Sequence, residues 1–436
     1  MTLDSQTLPQ LVDAMDQSES PPPPSAISRE PRWYAWACFL LTLAGLQLAL
    51  GPKIRLSQWK VQASANSGVA EGESWLNGRL DIPQERPDLL RERMHDTALV
   101  NEKVYNVFPP LMGFLTVALA PLHRYLIDRT DMWLALPYVL LVFWPVPIIS
   151  FIVFRRQTGD SAWAGLLTLA YMGGTALLPN LYFAGSGNLG QTNHVLSQVG
   201  LLIFAADMLG RRRIWPSLIG LTIAVWTRQM TILYALPLIA VAWQKKRLML
   251  CLAGLAVMVA PLLTLNYLKF GKPWDSGYQY IYVGREGDGI EERFQAHGLF
   301  SAHFIPENAY YMHIEPPQLD IEPTLTSLKI TETNQMGTSL WITSPLLLFV
   351  FLAAPSWFRD GPRRLLILAT LPVMLGLLCY HSTGYLQHGY NRFALDFIPI
   401  WLAVIAGQTR GGWRTWFTLG CTAWALLYFQ AIVPDA

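Results

Sequence analysis

The sequence predicts an all-α polytopic membrane protein, a bundle of about eleven transmembrane helices with two long extracytoplasmic loops. Three observations carry this expectation. Hydrophobic residues make up 52% of the 436 positions and charged residues only 14%, where a soluble domain carries about a quarter charged. The apolar residues gather in blocks near the roughly 20 residues that a membrane-crossing helix requires. Short basic clusters separate many of those blocks, as they do in cytoplasmic loops.

Taken in order, residues 1–32 are polar and contain the run Pro21 to Pro24. They read as a disordered cytoplasmic tail, since the apolar block that follows comes too late and runs too long for a cleaved signal. The membrane domain then occupies 33–436. Its apolar blocks lie near 33–51, 107–122, 132–154, 162–184, 193–210, 214–227, 229–244, 248–268, 339–357, 365–380, 393–407 and 414–432. Basic clusters stand at 155–156, 211–213, 245–247, 359–364 and 409–414. All of them reach one side, with Arg29 and Arg32, only if 107–122 does not cross. That block is short and opens beside Pro109 and Pro110. It reads as an interfacial helix within a first outer loop, 52–131. The segment 214–244 then makes two thin crossings, and 269–338 is a second outer loop. All eight histidines fall on the outer side of this topology. Solubility does not require such one-sidedness, so polar chemistry concentrates on the extracytoplasmic face. The cysteines Cys38, Cys251, Cys379 and Cys421 all lie in apolar blocks and read as small hydrophobes.

Several stretches carry candidate chemistry. In HDTALVNEKVYNVFPP, Asp96 stands at an apolar boundary. A carboxylate there loses solvation and gains basicity, which suits a general base; the alternative is a loop acid or a helix N-cap before Thr97. Glu73 and Asp81 are the competing acids. Arg228 sits between two apolar blocks with no acid nearby in sequence. A lipid phosphate suits its guanidinium, and a snorkelling arginine is the plainer reading. Arg392 and Asp396 are four apart, so a helix would pair them; Arg392 is also a second phosphate candidate. Lys269, Asp275 and Tyr278 follow a span in NYLKFGKPWDSGYQY, either meeting a phosphate and a sugar or forming an interfacial turn. His194 stands at the mouth of a span. No P-loop, HExxH or GxSxG motif occurs, and the glycines at 185–190 follow no strand.

The order of these features resembles the GT-C superfamily of integral-membrane glycosyltransferases, in particular bacterial relatives of the protein O-mannosyltransferases and lipid A aminoarabinose transferases. The stretches that carry the likeness are SWLNGRLDI, HDTALVNEKVYNVFPPL, IAVWTRQMTILYALPL, NYLKFGKPWDSGY, GTSLWITSPLLLF and GYNRFALDFIPIWL. The resemblance implies an inverting transfer of sugar from a polyprenyl-phosphate donor to a glycan, lipid or protein acceptor at the outer membrane face. An acid of the first outer loop would be the base, and cationic side chains or a divalent metal would receive the leaving phosphate. Many such enzymes carry an Asp-Glu pair soon after the first span, whereas 52–70 contains no acid here. The base is therefore assigned to Asp96, with Glu73 next. Arg228 and Arg392 are assigned to phosphate, with Tyr105, Lys269, Asp275, Tyr278 and His194 supporting donor or acceptor. No ligand spacing demands a metal. The partners implied are membrane lipid and no nucleic acid, in the inner membrane of a bacterial cell envelope. Two other classes compete: a transporter or flippase of lipid-linked saccharide, disfavoured by the lack of an internal repeat, and a non-catalytic membrane subunit using loop 269–338.

Overall fold

A computed structural model describes residues 30–50, 60–62, 66–83, 97–126, 132–134, 144–185, 191–281, 290–321, 328–332, 334, 336–382, 387 and 389–433. The chain is mainly helical, as expected. Among the described residues, the few strands form three separate two-stranded antiparallel ribbons.

Helix α1 (Arg32–Leu50) lies against α5 (Ser161–Gly173), which forms a hairpin with α4 (Pro145–Thr158). The turn between them is set by Gly159 at φ +70 and by Asp160, whose side chain accepts from the Trp163 amide at 2.8 Å. Helix α6 (Leu177–Gly185) follows α5 at a bend of 59°. The centre of the bundle is α7 (Thr192–Met208), buried along most of its length and paired with α8 (Ile214–Val225). The pair is close because of glycine: a Cβ on Gly200 would stand 2.5 Å from the Gly220 carbonyl oxygen. A 3-10 turn (Gln229–Tyr234) leads into α9 (Ala235–Gln244), and α10 (Leu248–Phe270) runs back along the periphery. Further helices are Gly361–Cys379, the fully buried Ile398–Ile405 and Trp413–Ile432.

Among the described residues two helices, Leu248–Phe270 and Gly361–Cys379, are long and apolar enough to cross a membrane, or three if the bent pair α5–α6 is one span. In α10 only 11% of the most apolar window is buried, so its side chains face outward from the protein. The expectation of about eleven full-length spans is corrected here. The apolar blocks exist, but bends, proline and 3-10 turns interrupt several of them, among them 162–184, 229–244, 339–357 and 393–407. In block 132–154 the described residues are a strand (Met132–Leu134) and a helix from Pro145. Block 339–357 splits into Leu340–Thr343, a 3-10 turn Pro345–Leu348, Phe349–Leu352 and Ala354–Arg359. Block 214–227 gives a helix of 12 residues, about 18 Å long against roughly 30 Å of hydrocarbon.

In the segment expected as the first outer loop, the described elements include α2 (Ser67–Leu76), the hairpin Thr97–Val100/Lys103–Asn106 and α3 (Leu111–Leu126). Asn101 and Glu102 both take positive φ, the conformation a two-residue hairpin turn requires. The hairpin corrects the N-cap alternative for Asp96, because Thr97 opens a strand. Helix α3 has 16 residues and sits where the interfacial helix 107–122 was expected. Gly68 and Gly72 let it approach α2: a Cβ on Gly72 would stand 2.5 Å from the Thr116 Cβ.

Candidate active site

Two polar clusters lie at the same end of this helix array. The first centres on Glu71, on the face of α2 that carries Gly68 and Gly72. Its side chain is fully buried. It accepts from Asn106 Nδ2 at 2.8 Å and forms a buried ion pair with Lys269, one residue before the end of α10. Lys269 Nζ also donates to the Asn106 carbonyl at 3.0 Å. Asn106 is the strand partner of Thr97, the residue after Asp96. The network therefore ties α2, the hairpin and α10 together next to the position assigned as base. Asp96 itself lies outside the described residues. Glu73 is two residues from Glu71, about 200° round the helix, and is only half-buried.

The second cluster centres on the Phe393 ring. Arg228 lies over it at 5.0 Å and Arg392 at 5.6 Å, while His194 stacks on it at 6.1 Å. Asp396 is fully buried and holds Arg228 by a two-pronged pair, Nε to Oδ1 at 3.0 Å and Nη2 to Oδ2 at 2.9 Å. Arg228, which has no acid nearby in sequence, finds one 168 residues away. The expected pairing of Arg392 with Asp396 is corrected. Asp396 does not take Arg392 in a helical i,i+4 pair, because Arg392–Asp396 is a 3-10 turn with a different side-chain repeat. Tyr234 OH donates to the Asp396 carbonyl at 2.9 Å and Gln198 Nε2 to the Leu395 carbonyl at 3.0 Å, strapping that turn to the central helices. Among the described residues the cluster holds one carboxylate, Asp396, and two guanidiniums. At the start of α7, Thr192, Asn193 and His194 are buried, and Oγ1, Oδ1 and Nδ1 find no hydrogen-bond partner among the described residues. Such atoms are rare in a packed interior.

Aromatic contacts join the two clusters. Tyr380 meets Phe393 edge-on at 5.8 Å and Tyr278 at 6.4 Å. Tyr278 packs in turn on a small core containing Tyr105 and Phe270. On the other flank Trp75, Phe114 and Trp226 follow one another at 5.1 and 5.2 Å. Burial, and less strongly the Asp81 carboxylate, raise the Tyr105 hydroxyl above its ordinary pKa, so it stays protonated and able to donate. Asp275 is committed to its own turn, accepting from the Gly277 amide, Gln279 and Tyr280 OH at 2.9, 2.6 and 3.1 Å. The structure thus gathers His194, Arg228, Arg392 and Tyr278 around one point and Tyr105 and Lys269 beside it. Asp275 acts on the loop that carries Tyr278. Sequence reasoning passed over Glu71, although it is the first acid after block 33–51 and lies within a Gly-x-x-x-Gly pattern. No three metal-ligating side chains converge among the described residues.

Comparison with known protein families, with curated proteins and with solved structures finds no match to this chain.

Proposed function

We propose that the protein is a membrane-embedded glycosyltransferase that takes a sugar from a polyprenyl-phosphate donor and passes it, with inversion, to an acceptor hydroxyl on the extracytoplasmic face. The observation that carries this reading is that two guanidiniums and a buried histidine gather on one ring, Phe393, at the end of the bundle where α2 and the hairpin lie. Guanidinium groups match phosphate oxygens in geometry and charge. Asp396 occupies Nε and Nη2 of Arg228, which leaves Nη1 for a phosphate and fixes the plane of the fork. A lipid phosphate entering between Arg228 and Arg392 would also meet the unpartnered polar atoms at the start of α7.

In this reading Asp96 takes the proton from the acceptor hydroxyl as that oxygen attacks the anomeric carbon. The bond to the donor phosphate breaks, and the leaving phosphate carries off the electron pair against Arg228 and Arg392. Glu71, already bound to Lys269, orders the loop. The chain crosses a bacterial inner membrane with this end outside. The test is turnover of polyprenyl-phosphate sugars by the purified protein. Asp96→Asn is expected to abolish transfer and retain donor binding, and Arg392→Ala to weaken donor binding. Full transfer by Asp96→Asn rejects the base. A wild-type protein that binds no such lipid rejects the class.

A further inference from the structure

At the opposite end of the same helices, two turns come together. Residues 209–213 join α7 to α8, and residues 245–247 join α9 to α10. Lys245 Nζ donates to the carbonyls of Arg211 at 3.1 Å and Arg212 at 2.7 Å, which fastens one turn to the other. The pair of turns carries Arg211, Arg212, Arg213, Lys245, Lys246 and Arg247. Asp207 is the nearby acid. It is held by Arg213, through the amide at 2.6 Å and Nε at 3.0 Å, and by Ser217 at 3.0 Å. The remaining basic groups face outward.

Two features set this patch apart from a solvated charge run. Arg212 and Lys246 take φ of +51 and +55, a conformation that glycine adopts without cost and side chains seldom enter. Each turn thus has a cation at the position where glycine is the easy residue. Large apolar side chains also flank the charges: Trp215 is 57% exposed, Trp243 70% and Met249 78%. A cleft of about 440 Å³ is lined by Trp243, Lys246, Arg247, Leu248, Met249 and Leu250. Cations above tryptophan and aliphatic surface match a phosphate head joined to acyl chains. Water-soluble anions would have no use for the apolar half.

We infer that these joined turns form a binding site for an anionic glycerophospholipid, independent of the sugar-transfer reading. The test uses the full chain purified in neutral detergent and titrated with phosphatidylglycerol or phosphatidylcholine. The variant is Arg212→Gly with Lys246→Gly, which removes two charges and relaxes both turns. Expected are preferential retention of phosphatidylglycerol by the wild type, and a loss of affinity of roughly five-fold for each charge removed. Thermal stability in lipid-free detergent should be unchanged or higher. A second variant, Arg211→Gln with Arg247→Gln, leaves the strained positions alone and is expected to weaken binding similarly. Equal retention of the two lipids, unchanged affinity in both variants, or full displacement of phosphatidylglycerol by millimolar inorganic phosphate would each overturn the inference, the last by assigning the site to a free anion.

Discussion

The pair Arg228–Asp396 offers the sharpest test of how the candidate site is held. Asp396 is fully buried and Arg228 is 15% exposed at the side chain. Replacing Arg228 with Met strands a carboxylate in the interior of the bundle, and breaking a buried pair in this way costs about 3–5 kcal/mol. Asp396→Leu strands the guanidinium instead. Its partial exposure, opposed by the nearby Arg392, puts the loss near the lower end of that range, about 3 kcal/mol. The double variant Arg228→Met/Asp396→Leu removes both charges together and is expected within about 1 kcal/mol of the wild type, since an apolar pair of similar volume often replaces a buried ion pair without loss. The coupling is then about 5 kcal/mol or more. Chemical unfolding in mixed micelles measures all four proteins. A second readout separates scaffold from chemistry: the double variant should recover its stability and still bind polyprenyl phosphate poorly, having lost the guanidinium. Single variants within 1 kcal/mol of the wild type would refute the reasoning, as would a double variant no more stable than either single one.

Three further outcomes follow from the same geometry. Lys269→Met leaves Glu71 with only the Asn106 amide in a buried position and should cost about 3–5 kcal/mol. Glu71→Gln strands the buried Lys269 ammonium but keeps a hydrogen-bond acceptor, and should also cost about 3 kcal/mol; a loss under about 1 kcal/mol in either variant in the same unfolding assay would argue against a charged pair. Gly72→Val drives a branched side chain into Thr116 and should destabilise by about 1–3 kcal/mol, measured as a fall in thermal midpoint, which Thr116→Ala partly restores. Burial, aided by Arg293, holds His381 down to about 4, below its ordinary value of 6.5. The unfolded chain therefore binds a proton that the folded chain refuses between those values. Stability is full above pH 6.5, falls as the pH is lowered towards 4, and loses about 3 kcal/mol in all. His381→Phe should flatten that part of the stability profile, and an unchanged slope would refute the assignment.

Composition and block pattern determined that this chain is helical and apolar, since both depend on totals and on near neighbours along the chain. Charged residues in apolar surroundings were legible for the same reason: Arg228, Arg392, His194 and Lys269 stand out locally, and the structure puts them near one another. Helix continuity was less legible. Pro145, Pro345 and Pro399 sit inside or beside apolar blocks, and hydropathy counts the block without registering the break. Partnership could not be read at all. Arg228 finds Asp396 across 168 residues and Lys269 finds Glu71 across 198, while the i,i+4 spacing of Arg392 and Asp396 suggested a different pair. Local spacing predicts contact only where the backbone is a regular helix, and at Arg392–Asp396 it is not. By itself the sequence determined which polar groups the apolar interior must accommodate. Only the tertiary structure decided which charge neutralises which, because burying an ion depends on where the whole chain brings its counter-ion.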